Sequence, residues 1–429
     1  MSTTITRDEV APQPASLETT VVTSWKAPVV FGIFTLVALA LAVFAPRPGD
    51  TTYRLSLPND VIQLPELTVP AMPTLYTIVV LLALATAYSA WLVASKRRVP
   101  LWLIVVFAVL FMFGFLTWAG SGASLPMIGL LFGSLSLAVP LIFGSLAGVI
   151  GERAGVVNIA IEGQLLAGAF TAAIVASVTG QPFLGLAAAM VAGMLVGMVL
   201  AAFAIKYFVD QVIVGVVLNV LVVGLTSFFY SQVLQPNAAL LNTPPRFDRL
   251  PIPVLSEIPI IGPVLFRQTI VVYLMYIAVA LVYFGLFHTK WGLRVRAVGE
   301  HPQAADTVGI NVNRTRFWNV ALAGSIAGLG GTFFTIGSGI AFNKEMTAGA
   351  GFIALAAVIF GQWDPIKATL AALLFGFASN LQNTLSVIGS PVPSEFMLML
   401  PYVVTIFAVA GFVGKSRAPA ADGKPYIKS

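Results

Sequence analysis

Few residues of this 429-residue chain could do chemistry. It has no cysteine and two histidines, His288 and His301, so a disulfide, a thiolate nucleophile and a histidine-rich metal cage within the chain are excluded. A phosphate-cradling loop needs G-x-x-x-x-G-K-[ST]. The nearest string, GFVGKS at 411–416, has Val409 where the first glycine is required and closes an apolar run instead of joining a strand to a helix. That string is therefore rejected as a phosphate site, and no other is visible. One carboxylate, Glu162, lies inside an apolar run in GERAGVVNIAIEG (151–163). A carboxylate at membrane depth is costly and faces a cavity or a partner. It is either part of a substrate path or a pin between helices, whereas Glu152 and Arg153 read as ordinary turn charges. The amides Asn158, Asn219, Asn380, Gln382 and Asn383 could hydrogen-bond a neutral polar solute. Equally, they could bond helix to helix, at about 0.6 kcal/mol per contact in membranes.

The elements that must hold these residues are membrane helices. The chain is 58% hydrophobic and 9% charged, against about 25% charged in soluble domains, so a soluble enzyme and a disordered chain are excluded. Apolar segments long enough to cross a bilayer fall at 27–45, 75–94, 101–118, 127–150, 157–178, 183–205, 213–233, 269–287, 317–337, 349–361, 368–385 and 396–413. The expectation is an all-α polytopic membrane protein of about twelve helices, the tenth short and glycine-rich. With the N-terminus inside, 17 of the 23 Lys and Arg fall on the cytoplasmic side. That orientation obeys the positive-inside rule and makes both termini cytoplasmic. The net charge of +6 then reflects topology and gives no reason to expect nucleic acid as a partner.

Two segments echo each other. GSLAGVIG from Gly144 matches GSIAGLGG from Gly324, and GQPFLGLAAAMVAGMLVGM from Gly180 matches GQWDPIKATLAALLFGF from Gly361. The helices of the first pair run in opposite directions in this topology, so the repeat is expected to be inverted, a recurring transporter design. This gives a ten-helix core, beginning with span three, plus two extra N-terminal helices. Between the halves lies 288–316, HTKWGLRVRAVGEHPQAADTVGINVNRTR, with five Lys or Arg and two acidic residues. Pro302 suits a first helical turn and Gly309 a helix end. The short helix between them would offer Ala304 and Ala305 as a flat surface to a partner protein.

GERAGVVNIAIEG, AVGEHPQAADTVGINVNRTR and GFIALAAVIFGQWDP resemble, in order, blocks of the permease subunits of bacterial ABC importers for simple sugars and nucleosides, relatives of ribose and branched-chain amino-acid permeases. The resemblance covers roughly residues 125–415. It implies a core similar to the cobalamin-importer permease and a cytoplasmic coupling helix at 288–316. Glu300, Ala304, Ala305 and Gly309 would then meet a separate ATPase, which binds ATP and Mg. Ala-Ala-x-x-x-Gly is retained there, although Gln303 replaces the usual Glu. No cofactor or metal is expected in this chain. The implied partners are that ATPase, a second, different permease, an extracellular solute-binding protein and membrane lipid. The implied substrate is neutral, a nucleoside before a sugar; an ion-coupled carrier is the remaining alternative. Asn158, Glu162, Asn219, Asn380 and Gln382 are the substrate-path candidates. The expected organisation is a cytoplasmic tail (1–26), N-terminal helices (27–118), the permease domain (125–415) and a second cytoplasmic tail (416–429), in a bacterial inner membrane.

Overall fold

The structure is a computed structural model that describes residues 24–58, 60–339, 341–389, 396, 399 and 418–427. The expected last span, 396–413, lies almost wholly outside the described residues. The chain divides into two compact units, one of residues 1–51 and 69–122, the other of 52–68 and 123–429.

In the first unit, α1 (Lys26–Phe44), α2 (Ala71–Ala94) and α3 (Leu101–Ala119) pack on one another. The rings of Phe31 and Phe107 stack at 4.0 Å, and the hydroxyls of Thr35 and Thr86 meet at 3.0 Å. The carbonyls left over at helix ends need outside donors. Arg47 Nη1 donates to Ala119 O at 2.7 Å, and Trp118 Nε1 donates to Ala45 O at 2.8 Å.

The second unit runs through α4 (Met127–Arg153), α5 (Ile161–Thr179), α6 (Pro182–Ala201) and α7 (Gln211–Phe229). Short α8 (Ala238–Leu241) and α9 (Ile261–Leu265) precede α10 (Ile270–His288), α11 (Lys290–Glu300), α12 (Pro302–Thr307) and α13 (Val312–Gly331), then α14 (Ala350–Phe360) and α15 (Pro365–Val387). A π-turn, Ala202–Lys206, closes α6, and another, Tyr230–Leu234, closes α7. Helix starts carry the expected caps: Asp210 accepts from the amides of Val212 and Ile213, and Asp364 from those of Ile366 and Lys367. Strand structure among the described residues is confined to connecting segments. β1 (Asp50–Arg54) runs parallel to β3 (Ser124–Pro126), pairing Thr52 with Ser124; β2 is Leu67–Pro70. β4 (Arg249–Pro251) is antiparallel to β5 (Arg267–Thr269), and Arg267 Nη1 meets Asp60 Oδ1 at 2.8 Å.

The echoing segments explain the tightest packing. Without a hydrophobic driving force between helices in lipid, small residues bring backbones close. Gly193 and Gly197 of α6 lie directly on Gly324 and Gly328 of α13, and a Cβ at Gly193 would sit 2.2 Å from Gly324 O. Likewise α4 packs on α15 and α14: Gly376 lies on Ser134 O, while Gly144 faces Ala354 and Gly148 faces Val358. α5 packs on α13.

Two expectations about the spans need correction. Nine helices among the described residues are long and apolar enough to cross a membrane: α1 to α7, α10 and α13. α14, placed at 349–361 as a span, has 11 residues, about 16 Å, which crosses half of a hydrocarbon core about 30 Å thick. The span placed at 157–178 becomes helical only at Ile161, because residues 154–160 are unwound and held by side chains. α15 has the length to cross, at 23 residues, but carries Asn380, Gln382 and Asn383 in its last turns.

Candidate functional site

The unwound stretch after α4 is the natural place to begin, since backbone polar groups at membrane depth must find partners within the protein. Gly155 takes φ +87° to turn the chain. Val157 N then donates to Gln211 Oε1 at 2.8 Å. Asn158 and Gln164, both fully buried, exchange two amide hydrogen bonds at 3.1 Å each. Asn219, from α7, donates to Ile159 O at 2.9 Å and accepts from Gly163 N at 2.8 Å. Side-chain amides thus supply the partners that a continuous helix would have given this segment.

Glu162 stands at the start of α5 and reaches the start of α14. Its Oε1 accepts from Thr347 Oγ1 at 2.6 Å and from Gly349 N at 2.9 Å; its Oε2 accepts from Gly351 N at 2.6 Å. The two helix N-termini touch: a Cβ at Gly351 would fall 2.3 Å from Glu162 N. Gly349, the cap of α14, needs its φ of +84°. One carboxylate therefore satisfies two free amides of α14 and faces the positive ends of two helix dipoles. The other end of α14 is fixed at the last turn of α4. Trp363 Nε1 donates to Glu152 Oε2, and Arg153 Nε donates to Trp363 O at 3.0 Å. The short helix thus runs about 16 Å from that end to Glu162, about half the thickness of a hydrocarbon core. Glu152, read as an ordinary turn charge, is buried and tied to Trp363.

Asn158, Glu162 and Asn219 are brought together around the start of α5. Asn380 is elsewhere: its Nδ2 donates to Leu130 O at 2.7 Å, near the opposite end of α4, with Gly133 making room. Gln382 is half-buried two residues on, in α15. Gln164, Gln211 and Thr347 belong to the junction and were missed by sequence reasoning. Gln164 had a signal, lying two residues from Glu162 in the same broken motif. Thr347 had none, because its partner is 185 residues away.

The segment 288–316 holds two helices where one was expected. α11 is capped by Thr289, whose hydroxyl accepts from Gly292 N at 3.2 Å. α12 opens on Pro302 as expected, and Gly309 follows it with φ +83° and its amide on Asp306 O at 2.9 Å. Ala304 is exposed, but Ala305 is only 3% exposed and faces Val298, Val312 and Tyr426. Only one of the two alanines therefore lies on the outer surface, beside exposed Val308. Glu300 is exposed and accepts from Ala420 N at 3.2 Å.

No cluster of three or more His, Asp or Glu residues suited to a metal occurs among the described residues. The arrangement holds a break in the backbone and a short helix together through side-chain amides and one carboxylate.

The model of a family described as the branched-chain amino acid transport system, permease component, matches residues 130–409. Named relatives include the guanosine ABC transporter permease protein NupQ of Bacillus subtilis, 43% identical over 308 residues, which cover 69% of this chain and 95% of NupQ. The nucleoside ABC transporter permease protein NupC of Lactococcus lactis is 40% identical over the same shares. The putative glucose ABC transporter permease protein TsgC13 of Haloferax volcanii is 36% identical over 59% of this chain and 77% of its own length. No solved structure gives a significant match.

Proposed function

The chain belongs to the family of branched-chain amino acid transport system permease components, and from that premise we propose that it carries a nucleoside across a bacterial inner membrane as the permease subunit of an ATP-driven importer. The observation that carries the reading is the break at 154–160 with α14 abutting α5. In secondary transporters broken helices near the midplane carry the substrate site, and we read the break here, lined by amides and backbone, in the same way. The similarity to NupQ and NupC favours a nucleoside, and the similarity to TsgC13 keeps a simple sugar as the second reading. An ion-coupled carrier is disfavoured, because the buried carboxylate Glu162 already has three donors.

In this reading a separate ATPase binds ATP and Mg and docks on α12 through Ala304 and its surroundings, with Glu300 and Gly309 shaping the loop. An extracellular binding protein delivers the solute, and a second, different permease completes the pore. Both termini are cytoplasmic. The two halves are inverted repeats, with α4 matching α13, α5 matching α14 and α6 matching α15. The packing supports this, since α4 lies on α15 as α13 lies on α6, and α4 on α14 as α13 on α5. The halves rock about the α5–α14 junction when the ATPases close. The test is uptake of radiolabelled guanosine by proteoliposomes holding both permeases, the ATPase and the binding protein. ATP-dependent uptake competed by other nucleosides and not by glucose supports the reading. Uptake competed only by sugars selects the second one, and uptake driven by an ion gradient without ATP refutes both.

A further inference from the structure

Residues 418–427 belong to no membrane helix, yet they are firmly seated. Ala421 N donates to Gly299 O at 2.9 Å and Ala420 N to Glu300 Oε2 at 3.2 Å, which joins the segment to the last turn of α11. Arg316, 2% exposed, reaches out of α13 to donate from Nη1 to Lys424 O at 2.8 Å and from Nη2 to Ala421 O at 3.4 Å. Gly155 leaves room for this guanidinium: a Cβ there would lie 2.7 Å from Nη2. Gly423 rests on Val157. Tyr426 is buried among Val298, Ala305 and Val312, and its hydroxyl bonds Asp306 of α12.

These contacts reach α11, α12, α13 and the unwound stretch after α4 at once. α12 has six residues, far too few to hold a helix by propensity alone, so its position is set by what its inner face rests on. That face is Ala305, and Tyr426 is part of its floor. A buried guanidinium needs partners; the carbonyls of 424 and 421 take Nη1 and Nη2, while Nε is buried with no partner among the described residues. We infer that residues 418–427 seat the coupling helix, with Tyr426 and Arg316 as positioning residues that tie α12 to the break at 154–160, so that motion imposed on α12 reaches the α5–α14 junction. This rests on the reading of α12 as the ATPase contact. Without the segment α12 would still be present and would move loosely against the core, so ATP hydrolysis would proceed with little transport.

The test uses the assembled complex in proteoliposomes and exploits the absence of native cysteine. Val157→Cys with Gly423→Cys should form an intrachain disulfide under mild oxidation, and no cross-link would overturn the seating. Tyr426→Ala should leave subunit stoichiometry and ATPase rate within about two-fold and lower solute moved per ATP about ten-fold, the scale on which single residues alter coupling; Tyr426→Phe should restore it. An unchanged ratio in Tyr426→Ala would overturn the inference. If the native complex moves neither nucleoside nor sugar, the importer reading fails by itself. The cross-link still decides the seating: its formation upholds it, and its absence overturns it.

Discussion

Replacing Glu162 tests the junction most directly. The carboxylate, 7% exposed, accepts three hydrogen bonds, two of them from main-chain amides at the start of α14. Glu162→Ala leaves both amides buried without partners, at about 1–3 kcal/mol each. The Thr347 hydroxyl can turn to another acceptor, so it adds little. The combined loss is about 3–5 kcal/mol, since bonds to one carboxylate are not additive. For a large chain this lowers the melting temperature of the purified complex by on the order of 10 °C. Glu162→Gln keeps the shape and one acceptor oxygen. Its carbonyl can serve Thr347 and Gly349, but its NH2 then faces the amide of Gly351, donor against donor, at a cost of about 1–3 kcal/mol. The expected order of stability is wild type, then Glu162→Gln, then Glu162→Ala, by thermal unfolding in detergent at one pH. Uptake by Glu162→Gln should stay within a few-fold of wild type. Equal melting temperatures for the alanine variant and wild type would refute the pinning role. A fully stable Glu162→Gln with no uptake would show that the carboxylate acts on solute or ion instead.

Other outcomes follow from the same structure. Asp422 is pushed up to about 7 by burial, which outweighs the lowering by the Gly423 amide and by Arg316; Glu152 also faces it. Seating therefore favours the protonated acid. That contribution is fully present below the ordinary aspartate value and is lost as pH rises through about 7, so proteolysis after residue 417 should be faster at pH 8 than at pH 6, and Asp422→Asn should flatten the difference. Gly328→Leu would drive a side chain into Ala189 O and Gly193. Overpacking of this kind costs about 1–3 kcal/mol or more, seen as a lower melting temperature and poor yield, with Gly224→Leu, where nothing lies within 4 Å, as the tolerated control. Ala304→Glu, on the exposed face of α12, should abolish ATPase co-purification while the protein still inserts; retained co-purification would remove α12 from the ATPase contact.

Much of the architecture was legible because it depends on local apolar length and on small-residue spacing. The starts and ends of α2, α3, α4 and α10 fall close to the hydropathic runs, and glycines of the echoing segments turn out to lie at the α6–α13 crossing, a contact that the repeat by itself did not predict. The turn chemistry of Pro302 and Gly309 located α12. What the sequence concealed was long-range. Hydropathy cannot distinguish a helix from an unwound stretch rescued by distant amides, so Val157 to Ala160 read as part of a span. It cannot see that Gly349 is held at mid-depth by a carboxylate nearly two hundred positions earlier, so α14 read as a full crossing. Alanine spacing could not say which alanine of α12 faces outward, because Ala305 packs on Val298, Val312 and Tyr426, the last of them 121 residues further on.

The amides illustrate why such a site is hard to read and what it is built for. Asn158 and Asn219 were candidates because a neutral solute needs neutral donors and acceptors, whereas Gln164 was not among them. In the structure each already has partners: Asn158 and Gln164 hold one another, and Asn219 bridges Ile159 O and Gly163 N. Those bonds replace backbone bonds missing from the break, so they are the condition for having an unwound segment at that depth at all. A charged residue in the same place would carry a desolvation cost that an amide does not, and Glu162 escapes that cost only by capping α14. The nearly uncharged interior therefore has a mechanical cause as well as a chemical one. A junction held by amides and by one capped carboxylate keeps its polar groups satisfied without leaving a bare charge facing lipid, which suits the rocking movement proposed above.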